Sequence, residues 1–349
     1  PWPGWTAATI PDPQAVISEA RRRLGLSALL VASSGHAAAS SGLLLLPFLP
    51  SGPTEIVGTV PSSRIQRAMQ SASGSALSDA VARAVARIAE GHLGHRLAVE
   101  RMPAAGGQRA VEQMVGQSAD SGSLLLASEA LCVHAALERP ALAALLDRLQ
   151  PVASCVAVPY LLLHGAALAD CVIGSAGHGG RSAALARSLA AQRRAGSAAP
   201  MCREVAFNGG AAALQALLGG QIPMAVLPRA LAGTWVERGV LRAEPVMSDT
   251  EGPPSEGWFG VFAPSSWVAR RVTALGEALQ AGFSDPVQQA WLERLGLRAM
   301  PESGSALGNR IREERDSLRD QKKRAGFSAC PERGNRRGGG VCCLDSLAT

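Results

Sequence analysis

Aromatic residues are scarce in this 349-residue chain, which has one Tyr, six Phe and six Trp. So few rings leave little surface on which bases or sugars could stack. No CxxC and no Cys/His pairing at metal-ligand spacing occurs, so no metal site is expected. No apolar run reaches the roughly 18–20 residues that a membrane span needs. Excess basic charge is confined to one place. The formal net charge is +6, but ten Arg/Lys face five Asp/Glu between Arg310 and Arg337, which leaves the rest of the chain close to neutral. A chain-wide basic footprint for nucleic acid is missing. No cofactor and no nucleic-acid partner is expected.

The chain does have the bulk for more than one core. Its length exceeds the usual single-core size and 47% of it is hydrophobic, so two lobes are expected. Cys132, Cys155, Cys171 and Cys202 each stand alone in apolar segments, as small buried hydrophobes do. Cys330, Cys342 and Cys343 lie in the tail. Seven is odd, so export to an oxidising compartment leaves at least one thiol without an intramolecular partner. From Arg21 the run RRRLGLSALLVASSGHAAASSGLLLLPFLPSG combines a basic cluster, apolar stretches and small-residue sites such as Ala37-Ala38-Ala39. That is the grammar of a secretory signal, with an ordinary buried helix as the alternative. Residues 1–60 are accordingly read as a leader carrying an export signal. Trp2 and Trp5 fit neither reading.

From residue 61 the pattern alternates. Ser63–Gln70 reads as a weak first strand, and Ser71–Ser75 as a turn. Ser78–Glu90 reads as a helix whose Val81, Val85 and Ile88 recur at helical spacing. Leu97–Val99 is a strand, Pro103–Gln108 leads into a helix ending near Gly116, and Ser123–Ser128 is the next strand. Such alternation implies a parallel sheet. Val152–His164 is long enough to cross between lobes, and Cys171–Ile173 is another strand. The loop Gly174–Gly180 enters a helix over Ser182–Arg193, but its glycines miss the GxGxxG spacing of a dinucleotide site. Further on come a strand at Glu256–Pro264 and an amphipathic helix at Ser265–Phe283. Asp285-Pro286 then opens another helix, with Asp as cap and Pro at the first position. A charged helix over Ala306–Arg324 follows, and residues 329–349 are read as a disordered tail.

The stretch Val205–Pro228 (VAFNGGAAALQALLGGQIPMAVLP) concentrates the chemistry. It reads as strand end, Asn208-Gly209-Gly210 turn, short helix, Gly219-Gly220 stop and second strand. A helix N-terminus after Asn-Gly-Gly offers free backbone N–H groups to an anion. In open α/β sheets, ligands lie beyond the carboxyl ends of the strands. The loops Ser71–Ser75, Ala104–Gln108 and Ala127–Ala130 all take that position, although plain turn chemistry also uses Gly and Ser.

These pieces, in this order, resemble the extracytoplasmic solute-binding receptors of the tripartite tricarboxylate transporter, or Bug, family. The likeness covers roughly Ser63–Ala329 and is strongest in Gly94–Ser128, Val205–Val226 and Trp258–Pro264 (WFGVFAP). It implies an α/β, two-lobed periplasmic-binding-protein (Venus flytrap, type II) fold with mixed, mainly parallel sheets flanked by helices. One lobe would comprise 61–157 plus 258–328, the other 158–257. It further implies no enzymatic activity, a periplasmic location, a small carboxylate ligand in the interlobe cleft, and membrane permease subunits as partners. Carried over by position, the ligand contacts are Ser73, Gly74, Ser78, Asp79, Ala105, Gly106, Gly107, Gln108, Ser128, Ser175, Gly177, Gly179, Asn208 and Gly209.

The chain departs from the family pattern in several places. The family's first loop carries Pro residues and paired Gly before its Asp, whereas Ser71–Ser75 here does not. A polar Ser/Thr pair and a His usually follow the second-lobe glycines, where this chain has Gly180-Arg181 and Ala183-Ala184. Pro223 and Leu227-Pro228-Arg229 stand near expected acids. Arg181 and Arg229 are candidates to restore a charge contact to a carboxylate, against the ordinary expectation that they lie on the surface. Two rival readings are kept: a degenerate receptor serving as sensor or scaffold, and a hydrolase using Ser175 with His178, for which no third orienting group is placed by sequence.

Overall fold

The computed structural model describes residues 42–47, 74–165, 171–177, 180–195, 202–246 and 255–324. The expected strand at Ser63–Gln70, the loop Ser71–Ser73, His178 and Gly179, and the tail lie outside the described residues.

The first strand corrects the leader reading. β1 is Gly42–Leu46, within the segment assigned to the leader. It runs parallel to β2 (Leu97–Arg101) on one side and to β3 (Leu124–Ser128) on the other. Leu44, Leu45 and Leu46 are all essentially inaccessible to solvent. Four consecutive leucines read equally well as the apolar stretch of a signal or as a strand buried on both faces. The neighbouring strands decide between them. Any export signal has to end before Gly42.

Side-chain alternation along these strands feeds two cores. Leu44 and Leu46, with Leu124 and Leu126, pack under α1 (Gly74–Leu93) and α7 (Ala269–Ser284) through Val81, Val85, Leu275, Leu279 and Phe283. Leu45, Leu125 and Ala127 face the other way, onto α2 (Gln108–Val115), α3 (Pro140–Leu146) and α9 (Gly304–Arg324). The result is a helix–sheet–helix sandwich. The helical stripe expected at Val81 and Val85 is the one that is buried.

β4 (Leu149–His164) joins this sandwich to a second one. Its first part pairs antiparallel with β9 (Glu256–Pro264) and β10 (Arg298–Ser303). From Tyr160 onward it pairs with β7 (Met224–Pro228) and β8 (Arg242–Pro245). Pro159 marks the changeover, where β4 leaves its partner Glu256 and Tyr160 takes up Pro228. A residue without an N–H is tolerated where one ladder is being exchanged for another. The second sheet is completed by β5 (Val172–Ser175), parallel to both β7 and β6 (Arg203–Ala206). On one face lie α5 (Gly210–Leu218) and α6 (Arg229–Glu237), on the other α4 (Arg181–Ala195).

Two local expectations come out differently. Asp285 caps α8 (Pro286–Arg294) as expected, its carboxylate accepting from the amides of Val287 at 2.9 Å and Gln288 at 3.1 Å. Cys171 and Cys202, by contrast, are not independent buried thiols: they form a disulfide across the starts of β5 and β6. Their separation of 31 residues hides a pairing that only the parallel register brings together. Cys132 and Cys155 are free and buried, and burial pushes both thiols up from their ordinary range.

If β1 is a central strand, shortening it opens a cavity. Leu45→Ala is expected to lower the unfolding free energy by about 3 kcal/mol, measured by denaturant titration. An unchanged midpoint would place Leu45 outside the core.

Candidate functional site

The carboxyl ends of the parallel strands in both sheets carry the loops from which a site can be built. In the first lobe, β2 ends in the turn Ala104–Gly107 and passes into α2. Ala105, Gly106 and Gly107 all have positive φ (52°, 59° and 88°). For Ala105 that left-handed conformation costs on the order of 1 kcal/mol, and the surroundings hold it there. The Arg139 guanidinium donates to the carbonyls of Ala105 (2.8 Å) and Gly106 (3.2 Å). At Gly107 a side chain would sit 2.7 Å from Pro47 Cβ, so the end of β1 presses on this turn and only glycine fits. The amide of Gly107 donates to Pro103 O and that of Gln108 to Ala104 and Ala105. These two amides are therefore engaged inside the loop.

In the second lobe, Ser175 ends β5 fully buried, its hydroxyl donating to the Glu204 carboxylate, with Gly177 O 3.2 Å away as the alternative acceptor. Ser182 Oγ accepts from the Ala176 amide at 2.8 Å and donates to Val226 O at 2.5 Å. Ser175, fully buried and bonded to the Glu204 carboxylate, is closed to a substrate, which counts against the hydrolase reading. Gly209 opens α5 with φ 95° and no side-chain cap, so the first-turn amides of this helix have no intrahelical acceptor. Asn208 beside it is exposed.

Between the lobes lies a cluster that the sequence reading did not foresee. Arg181, the first residue of α4, has a side chain with no solvent exposure. Its Nη2 lies 2.5 Å from Glu314 Oε2 on α9, and its Nε lies 3.5 Å from Glu129 Oε1, just beyond β3. Trp258 Nε1 on β9 donates to the other Glu314 oxygen at 3.2 Å. A first-lobe carboxylate thus pairs with the first residue of a second-lobe helix, the end at which the helix dipole favours an anion. His134 Nε2 stands 3.8 Å from Glu129 Oε1, and the Tyr160 ring packs nearby. Removing one partner from so buried a charge cluster costs about 3–5 kcal/mol. The expectation of a surface role for Arg181 is overturned. Arg229 is exposed.

The site residues named from sequence fall into separate groups. Ala105, Gly106, Gly107 and Gln108 form one turn, with Ser128 half-buried at the end of β3. Ser175 and Gly177 belong to the β5–α4 loop, and Asn208 and Gly209 to the β6–α5 turn. Ser78 is buried in α1, and Asp79 is ion-paired with Arg101. Gly74 starts α1, while Ser73 and Gly179 lie outside the described residues. Because β1 is Gly42–Leu46, the first loop of the sheet starts at Pro47. Glu129 and Glu314 were missed. Glu129 had a signal, as an acid directly after an apolar strand; Glu314, one of many charges on a helix, had none.

The architecture is that of two-lobed periplasmic solute-binding proteins, and solved structures of that class superpose on the chain. The periplasmic binding protein BugD matches with TM-score 0.56 and 19% identity, covering 82% of this chain and 97% of its own. MatC from Rhodopseudomonas palustris, solved with bound malate, matches with TM-score 0.55 and 22% identity over 80% of this chain and 98% of its own. Rpa4515 of R. palustris, solved with adipate, matches with TM-score 0.60 and 16% identity over 82% and 98%. At these identities the likeness establishes the fold, and it agrees with the family resemblance read from the sequence. No protein-family model and no curated protein sequence matches the chain.

Burial pushes the Glu129 carboxyl above its ordinary value of 4.5; the Arg181 charge opposes the shift and Glu314 adds to it. A carboxyl raised in this way holds its proton more tightly in the folded state, so its stabilisation is complete below about pH 4.5 and is lost as pH rises through the folded value. Arg181, Glu314, His134, Tyr160 and Cys132 are ionisable groups around it. Glu129→Gln, which cannot ionise, is expected to gain thermal stability relative to wild type as pH is raised from 4.5. Parallel melting curves across that range would contradict the assignment.

Proposed function

We propose that the chain is an extracytoplasmic solute-binding receptor, not an enzyme, that captures a small organic carboxylate between its lobes. It would deliver the solute to the permease subunits of a tripartite tricarboxylate-type transporter. One observation carries the anion chemistry: a carboxylate, that of Glu129, already lies at the junction of the lobes, 3.5 Å from the Arg181 guanidinium at the head of α4. Cleft chemistry that holds an internal carboxylate suits an external one. The folds of MatC and Rpa4515, solved with malate and adipate, support the ligand class. The Cys171–Cys202 disulfide supports an oxidising, periplasmic location. Among the described residues no helix is long and apolar enough to cross a membrane. In this reading one lobe takes in residues 42–157 with 258–328, and the other 158–257. Closure by hinge motion about the shared strands would couple to binding, because only the closed cleft lets both lobes touch the anion.

A second reading, a receptor fold retained as sensor or scaffold, is favoured by the engaged Gly107 and Gln108 amides. A thermal-shift screen of carboxylates, amino acids and aromatic acids separates the two. The receptor reading predicts a raised melting temperature and binding at micromolar concentration or tighter for at least one carboxylate. Folded protein that responds to none of them would leave the scaffold reading in possession.

A further inference from the structure

β2 is the outermost strand of its sheet, paired with β1 on one side and with no described strand on the other. Its register fixes which main-chain groups remain. The Gly42 amide donates to Arg96 O at 3.1 Å and the Met102 amide to Leu46 O at 2.8 Å. Ala98 and Glu100, between those two bonds, therefore face β1 with their main-chain groups, while Leu97, Val99 and Arg101 turn theirs outward. The Leu97 amide agrees, because its acceptor is the Glu90 side chain, at 2.9 Å, instead of a strand. An open edge of this kind is a template for another strand, and natural sheets often close it with Lys, Pro or a bulge. Leu97–Arg101 has none of these, and its five pairs with β1 run without a register shift. At its centre stands Val99, 40% exposed.

We propose that this edge is a self-association surface, on which β2 of a second copy of the chain pairs antiparallel about a two-fold axis at Val99. The two Val99 residues then exchange both of their N–H···O bonds, and each Arg101 amide donates to Leu97 O of the other copy. Charge selects this occupant. By alternation Arg96 and Glu100 fall on one face of the strand and Val99 on the other, and all three are exposed. Four residues of extended chain keep Arg96 and Glu100 about 13 Å apart within one copy, too far to pair. Antiparallel pairing centred on Val99 sets Arg96 diagonally opposite Glu100 of the other copy, within reach of long side chains, and the two-fold axis makes that contact twice. A parallel copy in register would set like charges side by side. The surface lies in the first lobe and does not depend on the receptor reading.

Sedimentation velocity of the full chain over a rising concentration series tests this. Wild type is expected to pass from monomer to dimer with a dissociation constant of about 100 µM or tighter. Val99→Pro removes the central outward donor without taking a bond from β1, since proline is tolerated on a strand edge. It is expected to weaken the dimer at least about tenfold. Glu100→Arg and Arg96→Glu each put like charges on the diagonal and should be monomeric alone. Mixed together, they restore both opposite-charge contacts and should form a heterodimer. Wild type that stays monomeric throughout the series would overturn the proposal, whether the edge is bare or covered by another part of this chain. So would a dimer that Val99→Pro leaves intact, or charge variants that stay monomeric when mixed. If Val99→Pro fails to fold, the mixture decides, because both charge variants alter only exposed side chains.

Discussion

A guanidinium with no exposed surface has to be neutralised where it lies, and at Arg181 this requirement shapes the junction between the lobes. Its partners come from two distant parts of the chain, the end of β3 and the C-terminal helix α9, while Arg181 itself starts the helix after β5. The second-lobe helix cannot leave the first lobe without stranding a positive charge and two carboxylates. Charge burial of this kind contributes little net stability compared with well-packed apolar groups, but is costly to half-dismantle. It therefore acts more on which arrangement of the lobes is populated than on whether each lobe folds.

Folding of the lobes rests on apolar layers. Each sheet is covered on both faces, and β4 belongs to both sheets, so its path from Leu149 to His164 fixes the relation between them. Tyr160 stands at the point where β4 changes partners, and the same residue packs near Glu129. The crossing strand and the charge cluster thus meet in one place.

Much of the fold was legible in local patterns. The stripe of α1, the Asp285-Pro286 start of α8 and the long apolar run of β4 each announce their structure through spacing or capping chemistry. The class of fold followed from their order. β1 was not legible, because a run of leucines bounded by small residues has the same composition in a signal sequence and in a doubly covered parallel strand. The disulfide was hidden because sequence separation says nothing about strand register. Of the site, the glycine turns could be read from backbone demands, but what fills them could not. Glu129 and Glu314 matter through neighbours contributed from far along the chain, and Arg181 looked like an ordinary surface residue on a helix of mixed polarity.

The central claim is that the buried Arg181 guanidinium at the start of α4 is neutralised by Glu129 and Glu314 from the first lobe. Denaturant unfolding of Arg181→Met, alone and combined with Glu129→Gln and Glu314→Gln, reads that pairing directly. The account predicts a loss of about 3–5 kcal/mol for Arg181→Met alone, most of it recovered when both acids are neutralised. An Arg181→Met midpoint equal to that of wild type would contradict it.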